Sequence, residues 1–108
     1  MRTDIETIKN DVGFDLDFTL RDFNGNAINL NAASSIKLRV QKKRANEIKF
    51  EGEMVVVDGP QGQIKYTVKA GDFDEVGKYY GEIRVVFEDG QTVTFDDILI
   101  KVKSDLPK

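Results

Sequence analysis

Polar and apolar residues alternate along much of this chain. Over residues 13–21, Phe14, Leu16, Phe18 and Leu20 take turns with Asp15, Asp17, Thr19 and Arg21. A period of two predicts a strand with one buried and one wet face. The pattern returns at Ile36, Leu38 and Val40, set against Lys37, Arg39 and Gln41, and again at Ile64, Tyr66 and Val68. It is longest over residues 78–88. There Tyr79, Gly81, Ile83, Val85 and Phe87 share one parity, and Tyr80, Glu82, Arg84, Val86 and Glu88 share the other. Ile48, Phe50 and residues 54–57 are strand-like by their β-branching, and Gly52 between them predicts a break or bulge. Ile5 and Ile8 predict a short first strand.

Turn chemistry separates these runs. Asp22-Phe23-Asn24-Gly25-Asn26, Asp58-Gly59-Pro60-Gln61-Gly62 and Asp89-Gly90 are dense in residues that tolerate positive φ or bond their own backbone. Residues 31–35 read as a loop or a single helical turn, and residues 42–46 as a basic connection. In the last strand, Val93 and Phe95 sit on one parity but Ile98, Ile100 and Val102 on the other. A parity change needs one extra residue, which predicts a β-bulge at Asp96-Asp97. Residues 70–77 break the alternation. Their acids and the Phe73/Val76 spacing predict one short helical turn crossing between sheets.

About seven or eight short strands with turns at regular spacing predict an all-β antiparallel sandwich. Residues 1–103 form one domain on this reading, and residues 104–108 a tail or linker. Glu75-x-Gly77-x-Tyr79-x-Gly81 makes the sandwich immunoglobulin-like. Immunoglobulin domains carry an acid, a small residue, a tyrosine and a cysteine at this spacing. The tyrosine hydroxyl bonds back to upstream backbone at the corner between strands E and F. Glu75, Gly77 and Tyr79 are therefore the expected structural corner, and Gly81 stands where the cysteine would be.

Composition removes most chemistry. The 108 residues include no Cys, His or Trp. No disulfide, thiolate metal site or imidazole base is available, so an enzyme is not expected. The formal net charge of −3 gives no cationic footprint for nucleic acid. No apolar run reaches the roughly 20 residues that span a bilayer, so no membrane contact is expected. Residues 1–6 lack a signal peptide's apolar stretch, which predicts synthesis in the cytoplasm without a leader.

The remaining candidates have ordinary explanations beside them. Asp15 and Asp17 could act as an acid–base pair, but a solvated strand face explains them as well. Asp72, Asp74 and Glu75 could share a cation with Asp96-Asp97 if the loops met, yet no calcium-loop spacing is present. Neither metal nor cofactor is expected. Lys42, Lys43 and Arg44, behind Lys37 and Arg39, form a basic cluster that reads as a solvated hairpin tip or a dock for an acidic partner. Phe23, Tyr80 and Val86 are candidate interface residues. Scattered surface residues are the other reading.

Over residues 13–102 the chain resembles the N-terminal immunoglobulin-like domain of phage baseplate upper proteins, from tailed phages of Gram-positive bacteria. The resemblance runs through Phe18-Thr19-Leu20-Arg21-Asp22-x-Asn24-Gly25-Asn26-x-Ile28-x-Leu30 and Ile36-Lys37-Leu38-Arg39-Val40. It continues through Val57-Asp58, Gln63-Ile64-x-Tyr66, the Glu75 to Ile83 segment and Phe87-Glu88-Asp89-Gly90-Gln91-x-Val93-x-Phe95. It implies a virion structural adaptor that holds receptor-binding proteins on the tail. Its partners would be other tail and baseplate proteins, with a homo-oligomer open, and no catalytic residues carry over. A carbohydrate- or cell-surface-binding module is the alternative.

Overall fold

The computed structural model describes residues 3–42 and 47–104. Eight strands follow in order: β1 (Thr3–Ile8), β2 (Asp15–Thr19), β3 (Ala33–Lys42), β4 (Ile48–Glu53), β5 (Val55–Asp58), β6 (Gln63–Thr67), β7 (Gly77–Phe87) and β8 (Thr92–Lys103). They form a five-stranded sheet, β1-β8-β7-β3-β4, and a three-stranded sheet, β2-β6-β5. All pairings are antiparallel except β1 with β8, which run parallel from Thr3↔Ile98 to Ile8↔Lys103. The strand orders B-E-D and G-F-C-C′ are those of an immunoglobulin-like sandwich.

The core is the inward parity of each strand. Leu16 and Phe18 from β2, and Ile64 and Tyr66 from β6, face Ile36, Leu38 and Val40 from β3. Ile83 and Val85 from β7 and Ile98, Ile100 and Val102 from β8 complete it. Fully burying one such side chain stabilises the fold by about 1.5–3 kcal/mol. This gain opposes the ordering entropy of the chain. Gly81, at the position of the bridging cysteine, lies in close packing distance of Ile98 and Leu38. Both belong to strands that flank β7 in the same sheet, so side chains of β8 and β3 close over the place where a bridging side chain would start.

The bulge falls where the parity changes. Gly81 pairs with Ile98 and Ile83 with Phe95, so β8 carries one extra residue. Asp97 absorbs it at φ 64, in the left-handed region that Asp tolerates better than most residues. Residues 48–57 divide into two strands in different sheets. The switch comes at buried Met54, whose N–H donates to the Ile36 carbonyl at 2.8 Å.

Four expectations need correction. The crossover between β6 and β7 contains turns and a bend, not a helical turn. Ala33, Ser34 and Ser35 open β3 through a register shift against β7 rather than forming a loop. The longest strand is β8, with 12 residues, not β7 with 11. Lys42 belongs to β3, while Lys43 and Arg44 lie outside the described residues.

Candidate contact surface

Two tyrosines hold the β6–β7 crossover, one from each sheet. Tyr79 of β7 is 1% exposed, and its hydroxyl donates to the Glu75 carbonyl at 2.8 Å. Gly77 lies between them at φ +150, a conformation that side chains rarely adopt. Tyr66 of β6 donates to Asp72 Oδ2 at 2.5 Å, and the Lys69 N–H donates to the same oxygen at 2.9 Å. Phe50 stacks on Tyr66 with centroids 5.7 Å apart and meets the edge of Phe73 at 5.3 Å; Phe73 then meets Tyr79 at 6.0 Å. Such pairs add about 0.5–1.5 kcal/mol each beyond their burial. Burial, followed by the hydrogen bond to Asp72, pushes the Tyr66 phenol well above its ordinary range. Burial also raises Tyr79.

The acids of this crossover are engaged by lysines. Lys49 Nζ reaches Asp74 at 2.7 Å and donates to the Gly71 carbonyl at 3.2 Å; Lys42 Nζ reaches Glu75 at 2.9 Å. The hydrogen bond from Lys49 lowers the Asp74 pKa, and the carboxylates raise both lysines. Asp15 accepts from Thr67 Oγ1 at 2.6 Å and lies 3.7 Å from Lys65 Nζ. Among the described residues no group of three or more acids could hold a metal ion.

The outer face of the five-stranded sheet is built in rows by strand register. Gln41 pairs with both Ile48 and Tyr80, and Tyr80 pairs with Leu99. Ile48, Gln41, Tyr80 and Leu99 therefore cross four strands side by side. In the neighbouring row, Glu51 pairs with Arg39 and Arg39 with Glu82. Arg39 is ion-paired to both, at 3.0 Å and 3.3 Å. Its Nε faces Glu51 without hydrogen-bond alignment, so that contact is charge attraction alone. Beyond Glu82 the bulge adds Asp96 and Asp97, which meet no cation among the described residues. Between the rows lies an open groove of about 700 Å³, lined by Ile48, Tyr80, Leu99, Arg39, Asp96 and Asp97 among others.

The three candidate interface residues do not meet. Tyr80, 47% exposed, lines this groove. Val86 is half-buried and lines a separate groove of about 260 Å³ with Arg84 and Ser35. Phe23 is fully exposed on the turn after β2. That turn is tightly bonded. Asp22 Oδ1 accepts from the N–H groups of Asn24 and Asn26 at 2.9 and 3.0 Å, and Arg21 donates to the Gly25 carbonyl at 3.1 Å. Backbone bonds from Asp22 to Asn26 and from Gly25 to Asp22 close it. Two features escape the sequence pattern. The groove comes from two consecutive strand pairs, β3–β4 and β7–β8, that lie far apart in the chain. Val55, Val56 and Val57, on edge strand β5, are 58%, 41% and 57% exposed, which their strand-like β-branching does not reveal.

No family model and no curated protein matches the chain. Its structure is similar to the crystal structure of CopC from Methylosinus trichosporium OB3b, with a TM-score of 0.57 at 11% identity, over 99% of this chain and 88% of that one. An alignment with the structure of murine CRIg has a TM-score of 0.41 at 13% identity, over 94% of this chain and 92% of that one. The CopC likeness is one of fold alone, and nothing is drawn from the CRIg alignment: the chain is an all-β, immunoglobulin-like sandwich.

Proposed function

We propose that the chain is a non-catalytic adaptor of a phage tail baseplate, working in the virion through contacts with other tail proteins. The observation that carries the contact reading is a rigid sandwich displaying apolar anchors, Phe23 on a bonded turn and Tyr80 in an open groove. Large apolar side chains held on a stiff frame are what binding hot spots require. The baseplate assignment is supported by the sequence resemblance over residues 13–102. Reconstitution with purified tail components, read by co-elution, tests it. Co-elution lost on Phe23→Ala or Tyr80→Ala is expected. A chain that binds none of the components of its own phage would refute the assignment.

The groove also favours a second reading. Tyr80 beside Asp96 and Asp97 offers a ring and carboxylates, which suit a sugar. Glycan binding abolished by Tyr80→Ala is the expected result on that reading, and a blank glycan array counts against it.

A further inference from the structure

Phe23 and the outer-face groove are complementary in shape and in charge. Phe23 stands clear of its own chain on a turn held by five hydrogen bonds and bridged at its base by Arg21 and Ala27. Arg21, two residues away, forms no ion pair among the described residues. The groove is apolar along Ile48, Tyr80 and Leu99, and its β8 side carries the uncompensated Asp96 and Asp97. An aromatic with an adjacent cation thus matches a mixed groove that offers Ile48, Tyr80 and Leu99 along one row and an acid pair on its β8 side.

The two features cannot meet within one copy. Phe23 follows β2, at the end of the sandwich where Leu20 bonds Gly62 and Leu30 bonds Gly59. The groove lies on the outer face of the other sheet, toward the end where β3 runs out at Lys42. We propose that the Phe23 turn of one copy seats in the outer-face groove of a second copy, with Arg21 against Asp96 and Asp97, giving a head-to-tail contact. The contact is heterologous, so each copy retains one free turn and one free groove, and assembly continues into a ring or a filament. It rests on reading the chain as a contact module. One aromatic buries about 150–250 Å². That is small for an interface, so association is weak in isolation and strengthens where copies are held close.

Sedimentation velocity over a concentration series to about 1 mM, the range of a weak contact, tests this. The full chain is expected to grow past a dimer, and added salt to weaken the growth. Phe23→Ala and the groove variant Ile48→Arg with Asp96→Arg are each expected to remain monomeric. All three substituted residues are exposed, and circular dichroism confirms that both variants are folded. Mixed one to one, the variants are expected to form a dimer and nothing larger, because the mixture holds one intact turn and one intact groove per pair. Persistent association of either variant overturns the proposal, as does failure of the mixture to pair. A chain that stays monomeric yet binds tail components overturns the self-contact and leaves the adaptor reading standing. A chain that assembles but binds none of them refutes the adaptor reading alone.

Discussion

Gly52→Ala is expected to destabilise the protein, although the same change at an unobstructed strand position would stabilise it. Gly52 has ordinary strand backbone, so replacing it with Ala should gain about 0.5–1 kcal/mol of chain entropy. The added methyl, however, would overlap Tyr66 Cε1 and stand 2.9 Å from Cζ. Tyr66 cannot easily yield. Its ring is 3% exposed, stacked on Phe50 and bonded to Asp72. Overpacking at such a site costs about 1–3 kcal/mol. If the ring moves instead, the bond to the carboxylate is lost, at about 1.5–3 kcal/mol. Either cost, less the entropy gain, leaves a net loss of about 0.5–2.5 kcal/mol. Urea denaturation measures it as a lower midpoint at unchanged slope. In a Tyr66→Leu background the methyl finds room, and the cost of Gly52→Ala should shrink by at least about 1 kcal/mol. A stabilised single variant, or strict additivity in the double variant, would refute the packing argument.

Tyr79→Phe removes the corner hydrogen bond while leaving the ring in place. It should cost about 1 kcal/mol, seen in calorimetry as a fall of about 4–8 °C in Tm; an unchanged Tm would detach the corner from stability. Tyr66 and Tyr79 both hold their protons to higher pH in the folded chain than the ordinary phenol value of 10.0. Above about pH 10 the unfolded state therefore loses those protons first, and stability falls as pH rises. Urea midpoints at pH 8 and pH 10.5 should show this fall, and Tyr66→Phe should flatten it.

The parts of the fold that were legible in the sequence are those fixed by local pattern. Alternation marked β2, β3, β6, β7 and β8, because each has one face on the core. The shift from Phe95 to Ile98 located the bulge, because a side-chain period of two leaves no other way to turn both sets inward. The crossover misled because its acids resemble a helix start. Their side-chain partners are Lys49, Lys42 and Tyr66, none of them in the crossover itself, Asp72 accepts from the Lys69 N–H besides, and Gly71 at φ +89 breaks any helical path. β1 was faint because its inward side offers Ile5 and the polar Thr7, while Ile8 points outward. The groove could not be read from any one segment. It exists only once Ile48, Tyr80 and Leu99 are brought into register.

The parallel pairing of β1 with β8 sets how the domain bears load. Thr3 lies beside Ile98 and Ile8 beside Lys103, so Thr3 and Lys103 mark opposite ends of one six-rung ladder. Tension applied between those two residues pulls the strands along their length in opposite directions. All the rungs are then sheared together, whereas a hairpin pulled at its open end would unzip rung by rung. A module of the kind proposed, held at Thr3 and Lys103, would carry force by shear across all six rungs.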